Sequence, residues 1–184
     1  MAGNDETEPA AAEDSAPFVV VVGASAGALE ALRTLLGGLR ADTGAAFVVV
    51  THHPSRRSRS LVELLEPYTD LRVQEADAVT RLVPNTVVVV PAAAEVAAMD
   101  SHLRLAPVAS VDGSSGRIDA AFRALAARRG RRSIGIVLTG AGSDGVLGLG
   151  QTLAHGGLTI AQDPAEAEHD GMPRSAIDAG SVPQ

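Results

Sequence analysis

The sequence predicts an α/β fold: a three-layer, doubly wound, mainly parallel sheet with helices on both faces and an antiparallel hairpin at one edge. Three observations point there. Apolar runs of strand length alternate with longer segments of helical period. The runs are apolar throughout, as strands buried on both faces require. Hydrophobic residues make up 46% of the 184 residues but aromatic ones only 2%, so Val, Leu, Ile and Ala must build the core, which favours tight helix-on-sheet layers. This length fits a single domain.

Each element follows in order. Residues 1–16 read as a disordered acidic leader, since their Ala, Glu, Asp and Pro offer little to bury, and residues 17–184 as one folded domain. "FVVVVG" from Phe18 is a strand, "ALEALRTLLGGL" from Ala28 a helix, "AAFVVVTH" from Ala45 a strand and "SRSLVELLEPY" from Ser58 a helix. A middle section of shorter segments, "LRVQEA", "TVVVVP" and "AAMDSHLRLAP", places Asp100-Ser101 at a hairpin turn. After the Gly/Ser-rich "SVDGSSGR" come the helix "IDAAFRALAARRG", the strand "RSIGIVLTG", the helix "VLGLGQTLAHGG" and the strand "LTIAQ".

Composition excludes several classes. The chain has no cysteine, hence no disulfide framework, thiolate nucleophile or cysteine metal site. No apolar run approaches the length of a membrane span, and the polar acidic start lacks the basic and apolar regions of a secretory signal. A cytoplasmic location without membrane insertion is expected. The formal charge is −7, but Asp5, Glu6, Glu8, Glu13 and Asp14 carry much of it; without these five, 17 acidic residues face 15 basic ones. That balance gives nucleic-acid binding no support.

In doubly wound sheets ligands sit at the carboxyl ends of strands, so strand-to-loop junctions are where chemistry is sought. Three carry reactive groups. Ser25 stands in Gly23-Ala24-Ser25-Ala26-Gly27, between a strand and a helix start; it fits a helix cap and a nucleophile alike. A dinucleotide site fits poorly, because "GASAGA" lacks the full G-x-G-x-x-G spacing. His52 and His53 end the next strand, where alternation lets only one face Ser25's side. Asp144 lies in "TGAGSDG", which serves equally as a turn or an anion nest. Hydroxyl, imidazole and carboxylate together suggest a serine hydrolase, a constellation defined by geometry and not by chain order.

The segments "GASAGALEAL", "VVVTHHPSRRSRSLVELL", "LVPNTVVVVPA", "IGIVLTGAGSDGVLGL" and "LTIAQDPAEAEHDGMPRSAIDAG" together resemble the catalytic domain of CheB, the protein-glutamate methylesterase of bacterial chemotaxis. The later segments look most like the methylesterase-type domains fused to a methyltransferase in hybrid proteins. The resemblance implies a catalytic domain over residues 17–184 that demethylates glutamate γ-methyl esters on chemoreceptors and deamidates glutamine more slowly. It implies Ser25 as nucleophile, His52 instead of His53 as base, and Asp144 as its orienting acid. Ala26, Gly27 and Ala141 are assigned to the oxyanion and substrate site with Met172, for which lining the site and packing beneath it both stay open.

The same resemblance implies no cofactor and no metal, and as partner a methylated chemoreceptor or other methylated signalling protein. With no receiver domain ahead of the match and no methyltransferase after it, the chain reads as a stand-alone esterase domain or part of something longer, with either partner acting in trans. Arg56, Arg57 and Arg59 fit a solvated segment or a steering patch for an acidic receptor. Ala26, Ala28 and Ala141 replace the family's usual Thr, Gly and Met. These departures motivate a second reading, a catalytically weak or silent regulatory or docking module.

Overall fold

Apolar runs become strands where both faces can be covered. In the computed structural model, which describes residues 17–52, 60–108 and 116–183, six strands form one parallel sheet. They are β1 (Val19–Ala24), β2 (Ala46–Thr51), β3 (Arg72–Glu75), β5 (Thr86–Val89), β8 (Ser133–Val137) and β9 (Leu158–Ala161), in the order β3-β5-β2-β1-β8-β9. The chain winds outward from β1 through β2, then returns to β1's other side with β8. This reversal makes a topological switch point beside β1, where a crevice opens at the strands' carboxyl ends. The expected leader, together with His53, Arg56, Arg57 and Arg59, lies outside the described residues.

Alternate side chains of each strand enter opposite layers. Val20 and Val22 of β1 pack with Leu32 and Leu36 of α1 (Ala28–Gly37) and Leu65 of α2 (Leu61–Leu65). Val19 and Val21 face the other way, into a core with Ile118, Phe122 and Leu125 of α3 (Arg117–Arg129), Leu149 of α4 (Val146–Ala154) and Met172 of α5 (Gly171–Asp178). The three-layer, doubly wound arrangement is the one expected.

The hairpin forms as well, with Asp100-Ser101 between β6 (Ala94–Met99) and β7 (His102–Pro107). It does not extend the main sheet. With β4 (Val79–Arg81) it makes a separate antiparallel sheet, β4-β7-β6. The reason is its apolar face: Val96, Met99 and Leu103 are buried in the core that α3 shares, so this small sheet covers α3 instead of widening the large one. β4 and α5 are elements beyond those expected from the sequence.

Candidate active site

Ser25 follows β1, His52 follows β2 and Asp144 follows β8, so the topology brings three distant positions to one end of adjacent strands. Ser25 Oγ lies 3.1 Å from His52 Nδ1. His52 Nε2 bonds Asp144 Oδ2 closely. Both side chains are largely withdrawn from water, His52 at 9% and Asp144 at 6% exposure. Because an ionised Asp144 can only accept, Nε2 carries the proton and Nδ1 offers its lone pair to the Ser25 hydroxyl.

Backbone bonds fix the serine. Its N–H donates to the Thr139 carbonyl at 2.9 Å, and its carbonyl accepts from Ala28 N–H at 3.0 Å. The helix-cap reading does not hold for its side chain: the residue capping α1 is Gly27, and no side chain among the described residues caps the helix start. The hydroxyl is thereby left for His52.

Asp144 is held from a third direction. Its Oδ2 accepts the Ile118 N–H at 3.1 Å and its Oδ1 the Asp119 N–H at 3.0 Å, both in the first turn of α3. Burial alone would push this carboxyl's pKa up. The bonds from His52, Asp119 and Ile118 outweigh it and hold the group below the ordinary carboxylate range. A helix N-terminus favours the same ionised form.

Oxyanion donors must be N–H groups not already engaged. Ser25 N–H is used, and Gly140 N–H donates to the His169 carbonyl at 2.9 Å. Those of Ala26, Gly27 and Ala141 make no hydrogen bond among the described residues, and all three flank the serine or the facing turn. Of the two placements open to Met172, its fully buried side chain favours packing beneath the site. A Cβ on Gly140 would lie 2.2 Å from Met172 Sδ and 2.9 Å from Ser25 Cβ, so only glycine lets this turn approach the serine.

The sequence reading missed three supporting residues. Thr139 Oγ1 donates to the Ala26 carbonyl at 3.0 Å and accepts from His169 N–H at 2.9 Å, tying the serine turn to the loop before α5. Arg117 is buried and donates to the carbonyls of Thr51 (3.0 Å), Pro91 (2.8 Å) and Ala94 (2.5 Å), clamping the end of β2 just before His52. Asp119 accepts the Gly148 N–H at 2.7 Å. One signal was available: Asp119 stands three residues before Phe122, which puts a charge on the apolar face of a helix.

A groove of about 510 Å³ opens behind the serine turn, between α1 and β9. Gly27 and Thr139 line it, but Ser25, His52 and Asp144 do not. The hydrogen-bonded series therefore faces the crevice and not this groove.

Residues 20–184 match the family model described as CheB methylesterase. This chain belongs to the CheB methylesterase family. A protein-glutamate methylesterase/protein-glutamine glutaminase of Photorhabdus laumondii is 33% identical over 91% of this chain and 49% of its own length. One of Pseudomonas aeruginosa is 36% identical over 95% and 52%. The chain thus spans about half the length of these curated relatives. A crystal structure of the Thermotoga maritima CheB methylesterase catalytic domain superposes with a TM-score of 0.80 at 26% identity, covering 91% of each chain. A CheB fold accounts for both the parallel sheet and the small antiparallel one.

Proposed function

We propose that this chain is a serine hydrolase that removes the methyl group from γ-glutamyl methyl esters of a chemoreceptor or another methylated signalling protein. The observation that carries the proposal is the hydrogen-bonded series Ser25 Oγ, His52, Asp144 at three adjacent strand ends of a CheB-family chain. Names of its relatives, which combine methylesterase with glutaminase, support the substrate class.

Ser25 Oγ attacks the ester carbonyl carbon while its proton passes to His52 Nδ1. Asp144 holds the ring through Nε2–H and stabilises the imidazolium. The oxyanion is met by the free N–H groups of Ala26 and Gly27, with Ala141 opposite. Collapse of the tetrahedral intermediate breaks the C–O bond to methoxide, which leaves as methanol with the Nδ1 proton. Water, deprotonated by the same nitrogen, then cleaves the acyl-serine to glutamate and free Ser25. A glutamine side chain follows the same route and releases ammonia, more slowly because the amide is the poorer leaving group. Nucleophile, base and donors all belong to the chain, so the route calls for no cofactor.

The departures at Ala26, Ala28 and Ala141 leave this route intact, because every donor it uses is a backbone group. We read the domain as cytoplasmic, and no helix among the described residues is long and apolar enough to cross a membrane. The test is methanol release from a methylated receptor fragment. Ser25→Ala is expected to lower kcat by about a thousandfold or more. Equal background rates for wild type and Ser25→Ala reject the esterase and leave a silent docking module.

A further inference from the structure

We propose that Asp119 is a positioning residue for the Ser25–His52–Asp144 series, a role that rests on the hydrolase reading above. Asp119 is 8% exposed, and a buried carboxylate is costly to keep unless its oxygens find donors. Its donor is the Gly148 N–H, 2.7 Å away in the first turn of α4. In the opposite direction Asp144, two residues before α4 begins, accepts the N–H groups of Ile118 and Asp119 in the first turn of α3.

Each of these two helices therefore has its N-terminus closed by a carboxylate from the start of the other. Their own capping residues, Gly116 and Gly145, supply no side chain for the purpose. The exchange couples two functions. Asp144 can aim Oδ2 at His52 only while its carboxylate sits squarely on the start of α3. The turn carrying Asp144 runs directly into α4, whose first turn Asp119 holds. Asp119 thus acts at both ends of one linkage: its N–H grips the carboxylate, and its side chain anchors the helix from which that carboxylate hangs. It touches no substrate and works through Asp144.

The test compares Asp119→Ala with Asp119→Asn in the intact chain, reading turnover per folded molecule and the low-field proton resonance of the His52 Nε2–H bond to Asp144. The alanine loses the Gly148 acceptor. It is expected to lower kcat by about tenfold or more with KM nearly unchanged, since misplacing a base by a fraction of an ångström slows chemistry without weakening binding. It is also expected to lose or broaden the resonance. Asparagine keeps an oxygen for Gly148, so both kcat and resonance stay near wild type. If the alanine protein fails to fold, Asp119→Glu, with its carboxylate displaced by one methylene, replaces it with the same expectation. A resonance unchanged in the disruptive variant overturns the proposal whatever kcat does, and so does asparagine behaving like alanine. Should the wild type show no turnover, the hydrolase reading falls separately, and the resonance still decides the positioning role.

Discussion

Ser25 is placed by its neighbours' backbone rather than by its own side chain. Its N–H is spent on Thr139 and its carbonyl on Ala28, which leaves the hydroxyl as the single group free to meet His52. The facing turn comes close enough to complete the proposed oxyanion pocket only because residue 140 has no side chain. Gly140→Ala would force a methyl into contact with Met172 Sδ and Ser25 Cβ. The methionine end can swing aside, but Ser25 cannot yield without carrying Oγ away from Nδ1. Overpacking of this kind costs about 1–3 kcal/mol of stability, and a displaced nucleophile loses about tenfold or more in kcat. Steady-state kinetics and urea unfolding of the variant check both numbers; kcat at the wild-type level would show that the serine does not depend on this approach. Of the site, the three reactive side chains were legible because each is a reactive type at the carboxyl end of an apolar run. Arg117 and Thr139 were not, since what matters in them is the backbone carbonyl each one finds across the fold.

Among the elements, the hairpin shows how a local charge pattern becomes a stability term. Asp100 accepts from Arg104 at 2.6 Å and from His102 N–H at 2.8 Å. The Arg104 guanidinium first, and the His102 N–H second, hold its carboxyl down at about 2. An unfolded aspartate titrates near 3.9, roughly, so the folded form binds its proton later. The stabilisation is therefore complete above about pH 4 and is lost as pH falls toward about 2. Asp100→Asn should flatten the fall in urea midpoint over that window, and high salt should shrink the wild-type slope because the pair is partly exposed. An unaltered slope in the variant would assign the acid sensitivity to other carboxylates, Asp144 first. This turn was readable from Asp100-Ser101 between two apolar segments. The placement of its sheet was not, because nothing local says whether Val96, Met99 and Leu103 will cover a helix or extend a sheet edge. β4 escaped notice for a simpler reason: with three residues, of which only Thr80 is buried, it has too few positions to show a period.

Across the whole molecule, a core nearly without aromatics is organised around one of them. Phe122 is fully buried in α3, and its ring packs closely against glycines of two neighbouring segments. A Cβ at Gly135 of β8 would lie 3.1 Å from it, and one at Gly145, next to Asp144, also 3.1 Å. The same ring thus seats α3 on the sheet and supports the loop that carries the candidate acid. Removing it leaves a cavity that β8 and the N-terminus of α4 cannot close without moving Asp144. Phe122→Ala should destabilise the chain by about 3–5 kcal/mol. Phe122→Leu, which refills most of the volume, should cost well under half of that. Because the cavity borders the site, the surviving folded alanine variant should also lose turnover, while Leu36→Ala in the opposite layer should lose stability at constant kcat per folded molecule. Urea unfolding paired with active-site-normalised kinetics separates the two layers. Equal kinetic losses from both variants would mean that the sheet transmits strain across its full thickness and that Phe122 has no special tie to the site.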